Sequence, residues 1–258
     1  MTYETIRFER HGAVGILTLN RPEMINAINR KMTEELIDLW QQLHTDYETR
    51  VIVLRGEGDR GFSSGLDLKD LQSMYKESQE MTAEHSYQFQ RRLSLIFRLM
   101  RSAPQPIIAA IHGAAVGGGL SFSYTSDIRL ACNDAFFGAQ FINVGVGGAD
   151  MGTSFFLWRI VGWGKAAEML LTGDKVPADE ALRIGLINHL YPNKEELFSA
   201  AMKMATTMAS KNQFALQLTK SALNMALNGL NYEDAVRMED RGQTMLAMAF
   251  GINTTIQK

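Results

Sequence analysis

Hydrophobic and polar positions change their period several times along the chain, and each change predicts an element. Residues Tyr3 to Arg10 alternate as a strand does, and Val14-Gly15-Ile16-Leu17-Thr18-Leu19 reads as a hairpin partner across His11-Gly12. Asn20-Arg21-Pro22 breaks the pattern. From Lys31 to Leu43 the apolar residues Met32, Leu36, Leu39, Trp40 and Leu43 recur at helical spacing. Val51-Ile52-Val53-Leu54 and Ile107-Ile108-Ala109-Ala110-Ile111 are short unbroken apolar runs, the signature of strands buried on both faces. Between them the pattern predicts a short helix near Leu66–Tyr75 and a longer one near Thr82–Arg101. Such strand-then-helix alternation predicts an α/β fold. Beyond about Lys194 the spacing is helical only, with spans 195–209, 213–228 and 231–249. The chain therefore divides into an α/β core over residues 1–194 and a helical region over 195–258, packed on the core or on a neighbouring subunit.

Composition narrows the function classes. The 258 residues are 46% hydrophobic with a formal net charge of −2, an ordinary globular balance that favours neither nucleic acid nor an acidic membrane surface as partner. The N-terminal residues lack a basic segment followed by an apolar run, and no apolar stretch approaches the ~20 residues of a membrane span. A cytoplasmic protein is expected. The single cysteine, Cys132, excludes an internal disulfide framework, and the five histidines show no metal-ligand spacing, so no metal is expected.

Two glycine-rich turns carry the chemistry. Phe62-Ser63-Ser64-Gly65-Leu66-Asp67-Leu68 and His112-Gly113-Ala114-Ala115-Val116-Gly117-Gly118-Gly119-Leu120 each place small residues where a strand gives way to a helix. Backbone N–H groups at a helix start lack intrahelical acceptors and can face a developing negative charge. Three consecutive glycines at a helix start each cost about 1 kcal/mol relative to alanine, so something approaches the backbone closely there. Neither turn has the lysine–hydroxyl pair of a P-loop or the dinucleotide fingerprint.

Taken in this order, the two turns resemble those of the crotonase (enoyl-CoA hydratase/isomerase) superfamily. The resemblance extends to Leu19-Asn20-Arg21-Pro22 with Asn26-Ala27, Ser126-Asp127-Ile128-Arg129-Leu130-Ala131, Ala135-Phe136-Phe137-Gly138, Arg159-Ile160-Val161-Gly162, Ala167-Glu168-Met169-Leu170-Leu171-Thr172-Gly173, and Ala178-Asp179-Glu180-Ala181 leading to Gly185-Leu186-Ile187-Asn188. It implies a spiral of strand–strand–helix units and a helical C-terminal trimerisation region giving homotrimers or homohexamers. The implied ligand is an acyl-CoA thioester, a substrate rather than a cofactor. By position, the amides of Leu66 and Gly118 would hold the thioester oxygen. Met24, Ala27, Ser64, Asp67, Leu68, Gly117, Ser121 and Phe141 would line or flank the ligand, with Asp67 itself read as structural. One relative binds RNA through a basic helix, but Glu34, Glu35 and Asp38 against Lys31 argue against that here.

The chain also departs from the family pattern. Hydratases of the family use two glutamates to activate water, and the matching positions here are Ser121 and Phe141, neither of which takes up a proton at neutral pH. Asp150, in Gly147-Gly148-Ala149-Asp150-Met151-Gly152-Thr153, is the remaining candidate base. One carboxylate beside an enolate-stabilising hole can move a proton between carbons, which is double-bond isomerisation. An aspartate just ahead of a helix is also a favoured N-cap. Lys69 and Arg21 are the candidates for the CoA phosphates, and Met74, Met81 and Tyr87 for an adaptable apolar pocket. Hydration or thioester hydrolysis at a non-standard site, and CoA binding without catalysis, are the alternatives.

Overall fold

The computed structural model describes residues 3–77 and 82–251, which leaves Met81 and the last residues outside the description. One six-stranded sheet runs in the order β1 (Ile6–His11), β2 (Val14–Leu19), β3 (Val51–Gly56), β4 (Ile107–Ile111), β6 (Ile128–Cys132), β9 (His189–Tyr191). A three-stranded sheet joins β5 (Ala114–Val116), β7 (Phe136–Gly138) and β8 (Val176–Pro177). Only β1–β2 is antiparallel in the larger sheet; the register then runs parallel through Ile16↔Val53, Val53↔Ile108 and Ala110↔Leu130.

Two boundaries differ from the sequence pattern. The hairpin turns at Gly12-Ala13, one residue later than expected, because His11 pairs with Val14 and Gly12 supplies the positive φ of 61°. The first strand begins at Ile6 rather than Tyr3. The buried Glu35 carboxylate accepts the amides of Glu4 and Thr5 at 2.9 and 2.8 Å, which holds these residues out of the ladder.

Ten helices are described: α1 (Arg30–Leu43), α2 (Leu68–Glu77), α3 (Ala83–Ser102), α4 (Gly118–Thr125), α5 (Thr153–Val161), α6 (Trp163–Thr172), α7 (Ala178–Arg183), α8 (Lys194–Ala209), α9 (Gln213–Leu227) and α10 (Tyr232–Phe250). Side chains of Asn29, Thr82, Asn193, Asn212 and Asn231 cap α1, α3, α8, α9 and α10 by accepting the amide three residues on. These caps place each start within about a residue of the periodicity reading.

The apolar runs divide between two layers. Ile52, Leu54, Ile107, Ala109 and Ile111 face Leu36, Trp40, Phe97 and Met100 of α1 and α3. Their neighbours Val51, Val53, Ile108 and Ala110 face Leu197, Ala201, Ala205 and Ala209 of α8. Successive strand residues point to opposite faces, so a strand covered on both sides has no polar alternate. The result is a mixed α/β fold with a helical C-terminal region, as the pattern predicts. Helix α10 buries none of its residues within the described chain, and Met245, Met248 and Phe250 stand exposed on it. No described helix is long and apolar enough to cross a membrane.

Candidate active site

The two glycine turns lie against each other. Ser63 N donates to Ala114 O at 2.8 Å, and Val116 N donates back to Ser63 O at 3.1 Å. The contact is so close that a Cβ on Gly119 would sit 2.2 Å from Ser63 O. Gly65 has φ +85°, and a Cβ there would sit 2.8 Å from both Gly118 N and Val116 O. Glycine is required here by backbone packed on backbone.

This packing leaves two amides open. Gly118 is the first residue of α4, where an N–H has no intrahelical acceptor. Leu66 is freed differently from the sequence expectation. Helix α2 starts at Leu68, not Leu66, because Asp67 Oδ1 caps it by accepting the amides of Lys69 and Asp70 at 3.1 and 3.2 Å. Ile28 N donates to Gly65 O at 2.7 Å and Asp67 N donates to Ile28 O at 2.9 Å. In such a parallel bridge the middle residue, Leu66, turns its own N–H to the opposite side. Neither Leu66 N nor Gly118 N donates to any described residue.

A cavity of about 690 Å³ opens beside this turn, lined by Ser64, Leu66, Leu68, Gly117, Phe141 and Asp150, with Leu71, Phe89, Val144, Val146 and Met151 adding apolar wall. Tyr87 lines it too, whereas Met74 does not. Gly118 itself is not a lining residue, although Gly117 is, and four positions expected to flank the ligand also lie off the wall. Met24 O accepts the Ser64 hydroxyl at 3.2 Å, and Ala27 O accepts Arg21 Nη1 at 2.7 Å. Asp67 pairs with Arg21 at 2.9 Å, and this commits Arg21 to the fold rather than to a phosphate. Burial alone would raise the Asp67 pKa, but the Asp70 and Lys69 amides and the Arg21 guanidinium outweigh it and hold the carboxyl below its ordinary value. Ser121 is fully buried; its hydroxyl donates to Gly117 O at 3.3 Å and lies 2.8 Å from the Tyr124 hydroxyl.

Asp150, far from the glycine turns in sequence, lines the same cavity as Leu66 and Gly117. Its Oδ1 accepts Gln90 Nε2 at 2.5 Å and Met151 N at 2.7 Å. Its own amide donates to Thr153 Oγ1 at 2.9 Å. The capping role open to Asp150 is not the one it takes. The N-cap of α5 is Gly152, at φ +94° and without a side-chain cap, since Asp150 lies too far back and spends Oδ1 within its own turn. Burial pushes the Asp150 carboxyl above its ordinary value, and the hydrogen bonds from Met151 N and Gln90 offset this only in part. Oδ2 accepts no hydrogen bond from the described residues.

Gln90, Met151 and Tyr124 were not singled out as site residues by the sequence pattern. A signal for Gln90 was present: Ser86, Tyr87 and Gln90 recur at three- and four-residue spacing on α3 and together line the cavity. Among the described residues no group of three or more His, Cys, Asp or Glu could hold a metal ion.

The Leu66 amide on the wall of a largely apolar cavity, the Gly118 amide next to its lining residue Gly117, and the half-buried Asp150 carboxylate are groups that can stabilise an oxyanion while a proton moves. Comparison with known proteins gives the family. The family model described as Enoyl-CoA hydratase/isomerase matches residues 9–249. The chain is 33% identical over 252 residues to the crotonyl-CoA hydratase of Syntrophomonas wolfei, covering 98% of this chain and 90% of that protein. It is 32% identical over 230 residues to the mitochondrial Delta(3,5)-Delta(2,4)-dienoyl-CoA isomerase of Dictyostelium discoideum, covering 87% of this chain and 78% of that one. The crystal structure of enoyl-CoA hydratase from Bacillus anthracis superposes with a TM-score of 0.88 at 27% identity, covering 96% of this chain and 92% of that one. The chain belongs to the enoyl-CoA hydratase/isomerase family.

Proposed function

We propose that the protein is an acyl-CoA isomerase that moves a carbon–carbon double bond by proton transfer through a thioester enolate. The observation that carries the reading is the free Leu66 amide on the wall of a cavity, with the free Gly118 amide next to lining residue Gly117, and Asp150 as the one acidic lining residue among the described residues. With a 3-enoyl thioester, Asp150 Oδ2 takes the proton from Cα. The electron pair delocalises onto the thioester oxygen, where the two amides hold it. The proton then returns to Cγ, and the double bond moves from C3–C4 to C2–C3. No atom is gained or lost, so a single carboxylate serves both transfers. Water addition asks for a second acid or base to hold the water, and the wall near Asp150 is instead Phe141, Val144 and Val146.

The test is turnover of trans-3-hexenoyl-CoA and trans-2-hexenoyl-CoA, followed by ultraviolet absorbance of the conjugated thioester, with free thiol measured in parallel. Conversion of the 3-enoyl to the 2-enoyl compound is the expected result. Hydration of the 2-enoyl compound without isomerisation, release of free CoA, or binding without turnover would each overturn the reading in favour of a named alternative.

The C-terminal helices support a homotrimer or homohexamer. A 19-residue helix with no buried residue, carrying exposed Met245, Met248 and Phe250 beside Leu223 and Met225 of α9, gains stability by packing on another surface. Light scattering on the purified protein is expected to give three or six times the chain mass; a monomer would contradict it.

A further inference from the structure

We propose that Gln90 is a positioning residue for the proton transfer, fixing one oxygen of Asp150 so that the other is presented to the substrate. This rests on Asp150 being the base. Gln90 reaches the carboxylate from α3, sixty residues away in the chain, and donates to Oδ1 at 2.5 Å. Met151 N donates to the same oxygen at 2.7 Å from the opposite direction along the chain. With both donors on Oδ1, the carboxylate is held against rotation and Oδ2 is left without a donor among the described residues. A carboxylate whose two oxygens differ in this way offers one defined basic site, which a transfer between two carbons of one bound chain requires.

Gln90 itself lines the cavity, and its turn of α3 carries the half-exposed Ser86 and the exposed Tyr87 into the same space. The ionisable groups facing Asp150 are few. Tyr87 comes from α3, and Tyr124 from α4, whose hydroxyl lies 3.4 Å from Asp150 O and donates to Met151 O at 2.8 Å. Burial raises the Tyr124 phenol above its ordinary value, so it stays neutral in the working range. No described cationic side chain lines the cavity. Among the described residues the Gln90 amide is therefore the one side-chain donor that favours the ionised form of Asp150, and a neutral amide does so without adding a competing proton.

The experiment is the pH dependence of kcat and KM on trans-3-hexenoyl-CoA for Gln90→Leu, with Gln90→Glu as the second variant and Asp150→Asn as reference. Leucine fills the same volume without donating, so the acid limb of kcat is expected to move up by about one pH unit, with kcat falling about tenfold at neutral pH and KM little changed. Glutamate keeps the length and places a like charge beside Asp150, and it is expected to move the limb further in the same direction. An acid limb that stays in place in both variants, while Asp150→Asn is inactive, would overturn the role of Gln90 and leave the base intact. Full activity of Asp150→Asn would instead overturn the base assignment itself.

Discussion

Asp150→Asn is expected to lower kcat for isomerisation by about 10²–10⁴-fold with little change in KM, the range of a lost general base. Asparagine keeps an oxygen at the position that accepts Gln90 Nε2 and Met151 N, so the turn before α5 retains its hydrogen bonds. The fold is expected to hold or to gain stability. The folded pKa of Asp150 lies above its unfolded value because of burial, so the folded state binds the proton more tightly. Stability is then lost as pH rises through the window from the unfolded value, about 3.9, to the raised folded value, and the charged form carries the whole cost above it. A neutral amide removes that cost at neutral pH. The same shift sets the sign of the wild-type profile: activity falls as pH drops through the folded pKa, above the ordinary aspartate range. Thermal denaturation beside initial rates checks both statements, and undiminished turnover by Asp150→Asn would reject the base.

The legible part of this molecule is what local pattern and backbone need dictate. Unbroken apolar runs located β3 and β4, because a strand covered by α1 and α3 on one side and α8 on the other admits no polar residue. Glycine clusters located the two turns that pack on each other, because Gly65, Gly118 and Gly119 stand where a Cβ would meet backbone or Ile28 at under 3 Å. The Leu66 amide is free for a different local reason from the one the sequence suggests. It is freed by its bridge to Ile28, a partner far off in sequence, and not by the start of α2. Contacts between distant side chains left no trace in periodicity. Gln90 reads as an ordinary polar position on an amphipathic helix until Asp150 is set 2.5 Å away. Arg21 reads as a free cation until Asp67 is found against it. Strands β5, β7 and β8, two or three residues long, are held by their neighbours in space and are too short for any alternation to register.

The proposed oxyanion hole can be tested by deleting one hydrogen-bond donor. Gly118→Pro removes an N–H that has no acceptor among the described residues, and position 118 is suited to the change. It is the first residue of α4, where proline is tolerated because that N–H has no helical acceptor. Gly117 before it has φ +54° and ψ −120°, the mirror image of the extended geometry that a residue preceding proline adopts, and open to glycine. The atom nearest to an added Cβ is Ile28 Cδ1 at 2.8 Å, with Gly65 Cα next at 3.4 Å, so the variant is made together with Ile28→Val, itself worth about 0.5–1.5 kcal/mol. The control is Gly118→Ala with Ile28→Val, which adds the same Cβ and keeps the N–H. Turnover of trans-3-hexenoyl-CoA is expected to fall about 10²–10³-fold in the proline variant relative to the alanine control. Affinity for CoA itself is expected to stay close to that of the control, since CoA has no thioester oxygen to hold. Equal turnover of the two variants would show that the Gly118 amide bears none of the developing charge, and the enolate would then need a different donor beside Leu66.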